Sequence, residues 1–153
     1  MKYSTKLSDA VHIIALIVIN QDFDLSSKAI AASIQTNPAF VRQIMMKLRK
    51  ANLISSVTGH AKPTLAKPPE KITLLDIYKA VEGDKPLLHL DTHTNPECGV
   101  GMNIQFALHD YYQEVQEAAE KRMKEVTLQD IIDSYYQKAK GLDKIYKCRS
   151  FFT

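Results

Sequence analysis

Two groups of residues in this 153-residue chain have the types and spacing to do chemistry. The first lies in "NPAFVRQIMMKLRKA", where Asn37 and Ala39 lead into Arg42, Gln43, Lys47 and Lys50. Phe40, Val41, Ile44, Met45 and Leu48 recur there at spacings of three and four, so they form one apolar face and leave the polar set on the other. Arginine pairs with guanine in two places, glutamine does so with adenine, a small alanine can touch a thymine methyl, and lysines neutralise phosphates. The second group is His89, Asp91, His93, Glu97 and Cys98. One thiolate with two imidazoles is a sensible zinc or iron set, yet H-x₃-H-x₄-C matches no strong metal motif. This loop is therefore read as binding no metal, with Cys98 as a free thiol whose reactivity depends on exposure and thiolate stabilisation.

The surrounding elements decide what the basic face can meet. Ser8 and Asp9 can cap a helix through "AVHIIALIVIN", whose near-continuous apolar content predicts a buried central helix with His12 packed and hydrogen-bonded inside it. Ser26 or Ser27 can cap a short helix through Ile34. "QTNP" interrupts it, with Asn37 as the next N-cap and Pro38 in the first turn, and a helix over about 38–51 follows. A short helix, a tight connection and a helix apolar behind and basic in front make a helix-turn-helix. Ser27 and Lys28 then stand where the first helix could hold a DNA backbone. "LISSV" and "TLA" read as strands around the turn "TGHAKP", which makes the unit a winged helix and offers His60 and Lys62 to a minor groove or phosphates.

Downstream, Thr73 and Asp76 form a capping-box pattern for "TLLDIYKAVEG", closed by Gly83. An irregular stretch over 84–102 precedes a helix expected from about Asn103 to Glu125. In it Ile104, Leu108, Tyr111 and Val115 alternate spacings of four and three, like a short coiled-coil seam. Thr127 and Asp130 repeat the capping pattern for a helix closed by Gly141.

Charge is uneven. Residues 1–80 hold 11 Lys and Arg against 5 Asp and Glu, and residues 81–153 hold 9 against 12, so a polyanion partner suits the first part only. Cys98 and Cys148 form no C-x-x-C pair, and "VHIIALIVI" is far too short to span a membrane, so a reduced, cytoplasmic protein without membrane association is expected. No G-x-S-x-G, P-loop or G-x-G-x-x-G is present, so no enzyme and no cofactor are predicted.

The order "LSSKAIAASIQTNPAFVRQIMMKLRKANLISSV", "LAKPPEKITLLDIYKAVEG", "NPECGVGMNIQFAL" resembles the Rrf-two family of bacterial transcription regulators over about residues 3–135. The resemblance implies a winged-helix head, a long helix pairing two subunits, a homodimer on palindromic promoter DNA, and more often repression than activation. Cluster-binding members carry three cysteines in the loop before the long helix, and this chain has Cys98 alone there; the usual glycine-rich wing is replaced by "TGHAKPT". The chain thus resembles a single-cysteine branch, with redox response through Cys98 in place of an iron–sulphur cluster.

The expectation is a mainly α protein: a winged helix-turn-helix over 1–83 with a small β-hairpin wing, a sensor-type loop over 84–102, dimerisation helices over 103–141, and a tail over 142–153. The DNA-binding set is Ser27, Lys28, Asn37, Ala39, Arg42, Gln43, Lys47, Lys50, His60 and Lys62. The alternative is a winged-helix protein-interaction module that binds no DNA.

Overall fold

The computed structural model describes residues 3–22, 24–56 and 62–141. Helices α1 (Lys6–Ile19), α2 (Ser27–Ile34) and α3 (Pro38–Lys50) lead into the short strands β1 (Ile54–Ser55) and β2 (Thr64–Leu65). A 3₁₀ turn over Pro69–Lys71 precedes α4 (Leu74–Glu82), α5 (Gly99–Glu125) and α6 (Leu128–Gly141). The architecture is mainly helical, as the sequence predicts, with one two-stranded antiparallel sheet among the described residues.

Helix α1 starts a turn earlier than the Ser8–Asp9 cap implies. Thr5 is its N-cap, and the Thr5 hydroxyl donates to Asp9 at 3.0 Å instead of capping the backbone. Ala10, Ile13, Ile14 and Ile17 are buried, so α1 is central, but His12 is on its exposed side. The histidine is hydrogen-bonded as expected, to Ser33 of α2 at 3.0 Å, but it is not packed inside.

Local chemistry makes the α2–α3 corner. Ser26 accepts from the Ala29 N–H at 3.2 Å to start α2. Gln35 ends it in the left-handed region (φ 61°, ψ 50°), and the Thr36 N–H closes back on the Ala31 carbonyl at 3.0 Å. A non-glycine residue there costs about 1–2 kcal/mol, offset by the packing of the two helices it joins. Asn37 then accepts from the Phe40 N–H at 2.8 Å, with Pro38 in the first turn, where a missing N–H costs nothing. Val41, Ile44, Met45 and Leu48 are buried, and Phe40 packs against the core as a partly buried neighbour.

The hairpin pairs Ile54 with Leu65 and Ser55 with Thr64, whose hydroxyls lie 3.1 Å apart across the strands. Each strand has two residues, shorter than the "LISSV" run suggests. His60, at the expected wing tip, lies outside the described residues.

Thr73 and Asp76 form the reciprocal capping box of α4, and Gly83 ends that helix at φ 65°. The Thr127–Asp130 pair behaves the same way at α6, with bonds of 2.9 and 3.1 Å. The two helix starts are stitched together: the Leu74 N–H reaches the Val126 carbonyl at 2.8 Å, and the Leu128 N–H reaches Ile72 at 2.7 Å. Leu128 and Ile132 thereby join the core cluster of the head, with Ile13, Ile44 and Ile77. Helix α6, grouped by sequence with the long helix, is thus seated on the head of its own chain. The tail over 142–153 lies outside the described residues.

Candidate nucleic-acid interface

Residues 39, 42, 43, 46, 49 and 50 follow one another at helical spacing along α3, opposite its buried face, and all six are exposed. The stripe begins at the capped N-terminus with Asn37 and Ala39, continues through Arg42 and Gln43, and ends at Arg49 and Lys50. At about 1.5 Å per residue, positions 39 to 50 span roughly 16 Å. Among the described residues, none of Arg42, Arg49 or Lys50 forms an ion pair. Two guanidiniums, an ammonium and an amide on one uncovered helix face can engage phosphates and base edges together.

A cleft of about 550 Å³ adjoins the stripe, lined by Ser26 and Ser27 of the α2 start, Arg42, Met46 and Arg49 of α3, and Ser56 beyond β1. Ser27 is half-buried and Lys28 exposed, so the α2 start and the α3 stripe border one surface. Asp24 also lies here. Its carboxylate accepts from the Ser26 N–H at 2.8 Å and the Ser26 hydroxyl at 3.0 Å, so negative charge already occupies the α2 N-terminus. An anion approaching Ser27 meets that carboxylate, which weakens the helix end as a phosphate seat.

Two members of the sequence-derived set are engaged elsewhere. The Lys47 ammonium donates to the Val81 carbonyl at 3.2 Å, near the C-terminus of α4, and is half-buried. It lies at the edge of the stripe, where a long side chain can turn back to satisfy a terminal carbonyl of the neighbouring helix. Lys62 is exposed near the wing, 3.4 Å from the Gln21 carbonyl. Arg49 is the residue the sequence-derived set omits. Its position seven residues after Arg42 puts it on the same face, and that spacing was sufficient to find it.

The second group of chemically capable residues is arranged differently from its sequence reading. Helix α5 starts at Gly99, not near Asn103, so Cys98 is its N-cap. The Cys98 sulphur accepts from the Gly101 N–H at 3.4 Å. Gly101 lets the backbone approach closely there: a Cβ would sit 3.0 Å from the Asn95 carbonyl oxygen, a tight contact. The backbone N–H groups of Gly101 and then Val100 favour the thiolate and hold the Cys98 pKa below the ordinary thiol value, against a smaller opposing desolvation. His89, Asp91, His93 and Glu97 are all exposed. The loop backbone lies along α5, pinned by Gln116 at the Leu87 N–H (2.8 Å) and Gln105 at the Asp91 N–H (3.1 Å).

Helix α5 buries none of its own residues. Gln116 and Glu120, with the Lys79–Glu120 ion pair at 3.6 Å, mark the side it turns to α4 and the loop. Roughly a quarter turn away run Ile104, Leu108, Tyr111 and Val115. Ile104, Tyr111 and Val115 are 43%, 66% and 49% exposed and Leu108 is half-buried, so among the described residues most of this apolar stripe faces outward. Among the described residues no helix is long and apolar enough to cross a membrane.

Comparison with known proteins gives this surface a context. The family model described as "Rrf2: Iron-dependent Transcriptional regulator" matches residues 3–134. The HTH-type regulator YwnA of Bacillus subtilis (strain 168) is 35% identical over 133 residues, covering 87% of this chain and 98% of its own. A solved structure described as a DNA-binding protein is also 35% identical, with a TM-score of 0.65, covering 83% of this chain and 98% of that one. CymR, the global cysteine regulator of B. subtilis, shares the fold at 23% identity and a TM-score of 0.61, over 88% of this chain and 98% of its own.

The family description names iron, and the loop here does not fit an iron–sulphur cluster. Such clusters are held mainly by several thiolates, whereas this loop supplies one, already accepting a backbone N–H as a helix cap. Among the described residues no three His, Cys, Asp or Glu side chains converge on a common point. The match over residues 3–134 and the 35% identity to YwnA nonetheless agree with the winged-helix fold. The chain belongs to the Rrf2 family, the Rrf-two regulators of the sequence resemblance, whose members are DNA-binding transcription regulators.

Proposed function

We propose that the protein is a cytoplasmic homodimeric repressor that reads a palindromic operator with α3. The observation that carries this reading is the uncovered stripe of Arg42, Gln43, Arg49 and Lys50 beginning at a capped helix N-terminus. In the major groove, Arg42 contacts guanine, Gln43 contacts adenine and Ala39 allows the close approach. Asn37 and Lys28 hold the backbone at the entry side, with Ser27 a weaker contact because the Asp24 carboxylate occupies the start of α2. Arg49 and Lys50 neutralise phosphates further along, with Lys62 and His60 serving the wing. Lys47 contributes mainly by fixing α3 against α4.

Dimerisation uses the Ile104, Leu108, Tyr111 and Val115 stripe of α5, because two copies related by a two-fold axis cover it on both chains at once. Cys98 is the site of redox response. Its thiolate attacks a hydroperoxide, the O–O bond breaks with release of water or an alcohol, and the sulphur is oxidised by two electrons to the sulphenic acid. An oxidised sulphur is a poorer cap for α5, and the altered helix start changes the spacing of the two heads.

Sequencing the DNA that the protein retains from its own genome tests this reading. An inverted repeat is expected, with half-site centres about one helical turn apart, some 34–36 Å. Arg42→Ala should cost on the order of 1–3 kcal/mol there and relax preference at one base pair per half-site. Retention of no sequence in preference to another would leave the protein-interaction module as the better account.

A further inference from the structure

Met46 stands in the middle of the otherwise polar stripe of α3. At about 100° per residue, Arg42 and Arg49 fall on one flank of that stripe and Gln43 and Lys50 on the other. Ala39 and Met46 lie between the flanks, with Met46 within about 5° of the mean direction of all six residues. Its side chain is 47% exposed, and among the described residues up to Glu82 the other exposed large hydrophobic is Tyr3. Met45, beside it in sequence, is 6% exposed and belongs to the core. The helix thus buries one methionine and holds the next outward among guanidiniums, an amide and an ammonium, forgoing the free energy of burial there. Met46 also borders the cleft of about 550 Å³ beside the stripe, whose lining adds Leu25, Met45 and Pro63 to the two arginines.

With α3 in a major groove, the flanks of the stripe face the phosphate rows and its midline faces the base edges. The long polar side chains on the flanks can reach phosphates or lean in to bases, but the midline position meets the groove floor. A thioether donates no hydrogen bond and accepts only weakly. A base edge rich in donors or acceptors, pressed against it, would lose water without replacement. One group on the floor is apolar, the C5-methyl of thymine.

We propose that Met46 is a specificity-determining residue that packs on the C5-methyl of a thymine in each half-site. This rests on the placement of α3 in the major groove proposed above and adds to it an apolar reading contact. The unbranched, polarisable side chain can bend to follow the methyl. The advance from Arg42 to Met46 along the helix is about 6 Å, or just under two base-pair steps, so the thymine lies within about two base pairs of the pair that Arg42 reads.

Deoxyuridine in place of thymidine removes this methyl and leaves the pairing edge intact, so it isolates the contact. The probe is a synthetic duplex carrying the inverted repeat recovered from the genome, with uracil at one symmetric pair of thymine positions at a time, titrated with the full chain by fluorescence anisotropy. A methyl withdrawn from water is worth about fourfold in affinity, so one symmetric pair should weaken the parent about 15-fold. Met46→Leu should keep a penalty at that position. Met46→Ala should bind the thymine duplex more weakly than the parent and show a uracil penalty under about twofold, the coupling expected of groups in contact. Thermal unfolding of Met46→Ala should match the parent, since the side chain is outside the core. Weakened binding by Arg42→Ala, with no thymine position whose uracil penalty depends on Met46, would overturn the methyl contact and leave α3 as the reading helix. Parent-like binding by both Arg42→Ala and Met46→Ala would overturn the contact and the placement of α3 together. A gain from 5-methylcytosine that depends on Met46, without any uracil penalty, would assign the methyl to a modified cytosine and overturn the thymine assignment.

Discussion

Asn37 separates folding from DNA recognition when its amide is exchanged for a carboxylate. The Asn37 oxygen accepts from the Phe40 N–H at 2.8 Å, and Asn37→Asp keeps an acceptor in that place. A negative charge at a helix N-terminus is itself favourable by about 0.3–1 kcal/mol. For a chain of this length each kcal/mol moves the melting temperature by about 2–4 °C, so Asn37→Asp should melt at the parent temperature or slightly above it. Asn37→Ala loses the cap and should be destabilised by about 1 kcal/mol. DNA reverses the ranking. A carboxylate about 4 Å from a phosphate is repelled by about 1 kcal/mol in bulk water and about 4 kcal/mol at an effective dielectric of 20. Affinity should therefore fall between about fivefold and about 10³-fold, and the salt dependence should become shallower by roughly one phosphate's worth. Thermal unfolding by circular dichroism and fluorescence anisotropy across a salt series read the two effects. An Asn37→Asp protein that melts like the parent and also binds DNA like the parent would remove the start of α3 from the interface.

Three further outcomes follow from the same geometry. Lys47→Met should destabilise the fold by about 0.5–1.5 kcal/mol through the lost bond to the Val81 carbonyl, measured by urea unfolding, while leaving the slope of DNA affinity against salt nearly unchanged. Leu108→Asp combined with Val115→Asp should give a folded monomer by light scattering and abolish operator binding; an unaltered dimer would place the subunit contact elsewhere. The Cys98 thiol should alkylate with iodoacetamide at a pH midpoint below the ordinary thiol value, and Gly101→Ala, which pushes a Cβ against the Asn95 carbonyl, should return that midpoint upward. Peroxide should lower operator affinity for the parent and not for Cys98→Ser.

The sequence made legible those features that depend on neighbours along the chain. Period, cap and turn residues placed α3 and its polar face, and the capping boxes at Thr73 and Thr127 were readable because both partners lie within one helical turn. The start of α5 was not legible, since Gly99 and Gly101 lower helix propensity. Cys98 nonetheless caps the helix, and at Gly101 the lack of a Cβ lets the Asn95 carbonyl oxygen come close. His12 was read as buried because its neighbours are apolar, but a helix that buries one side leaves the other exposed whatever its mean hydropathy. The Lys47–Val81 bond joins residues 34 apart, and no local pattern encodes it. Arg49 is the opposite case, present in the spacing but left out of the DNA-binding set.

The placement of α3 in the DNA groove is tested most directly by cutting the DNA from the helix itself. Lys50→Cys, in a chain whose Cys98 and Cys148 are replaced by serine, can carry an iron chelate that generates hydroxyl radicals at the exposed end of the stripe. On a retained genomic fragment the account predicts two symmetric clusters of strand cleavage, one in each half-site and about one turn of DNA apart. Cleavage spread evenly along the fragment, or none above that of free chelate while the protein remains bound, would contradict the claim that this helix reads the operator.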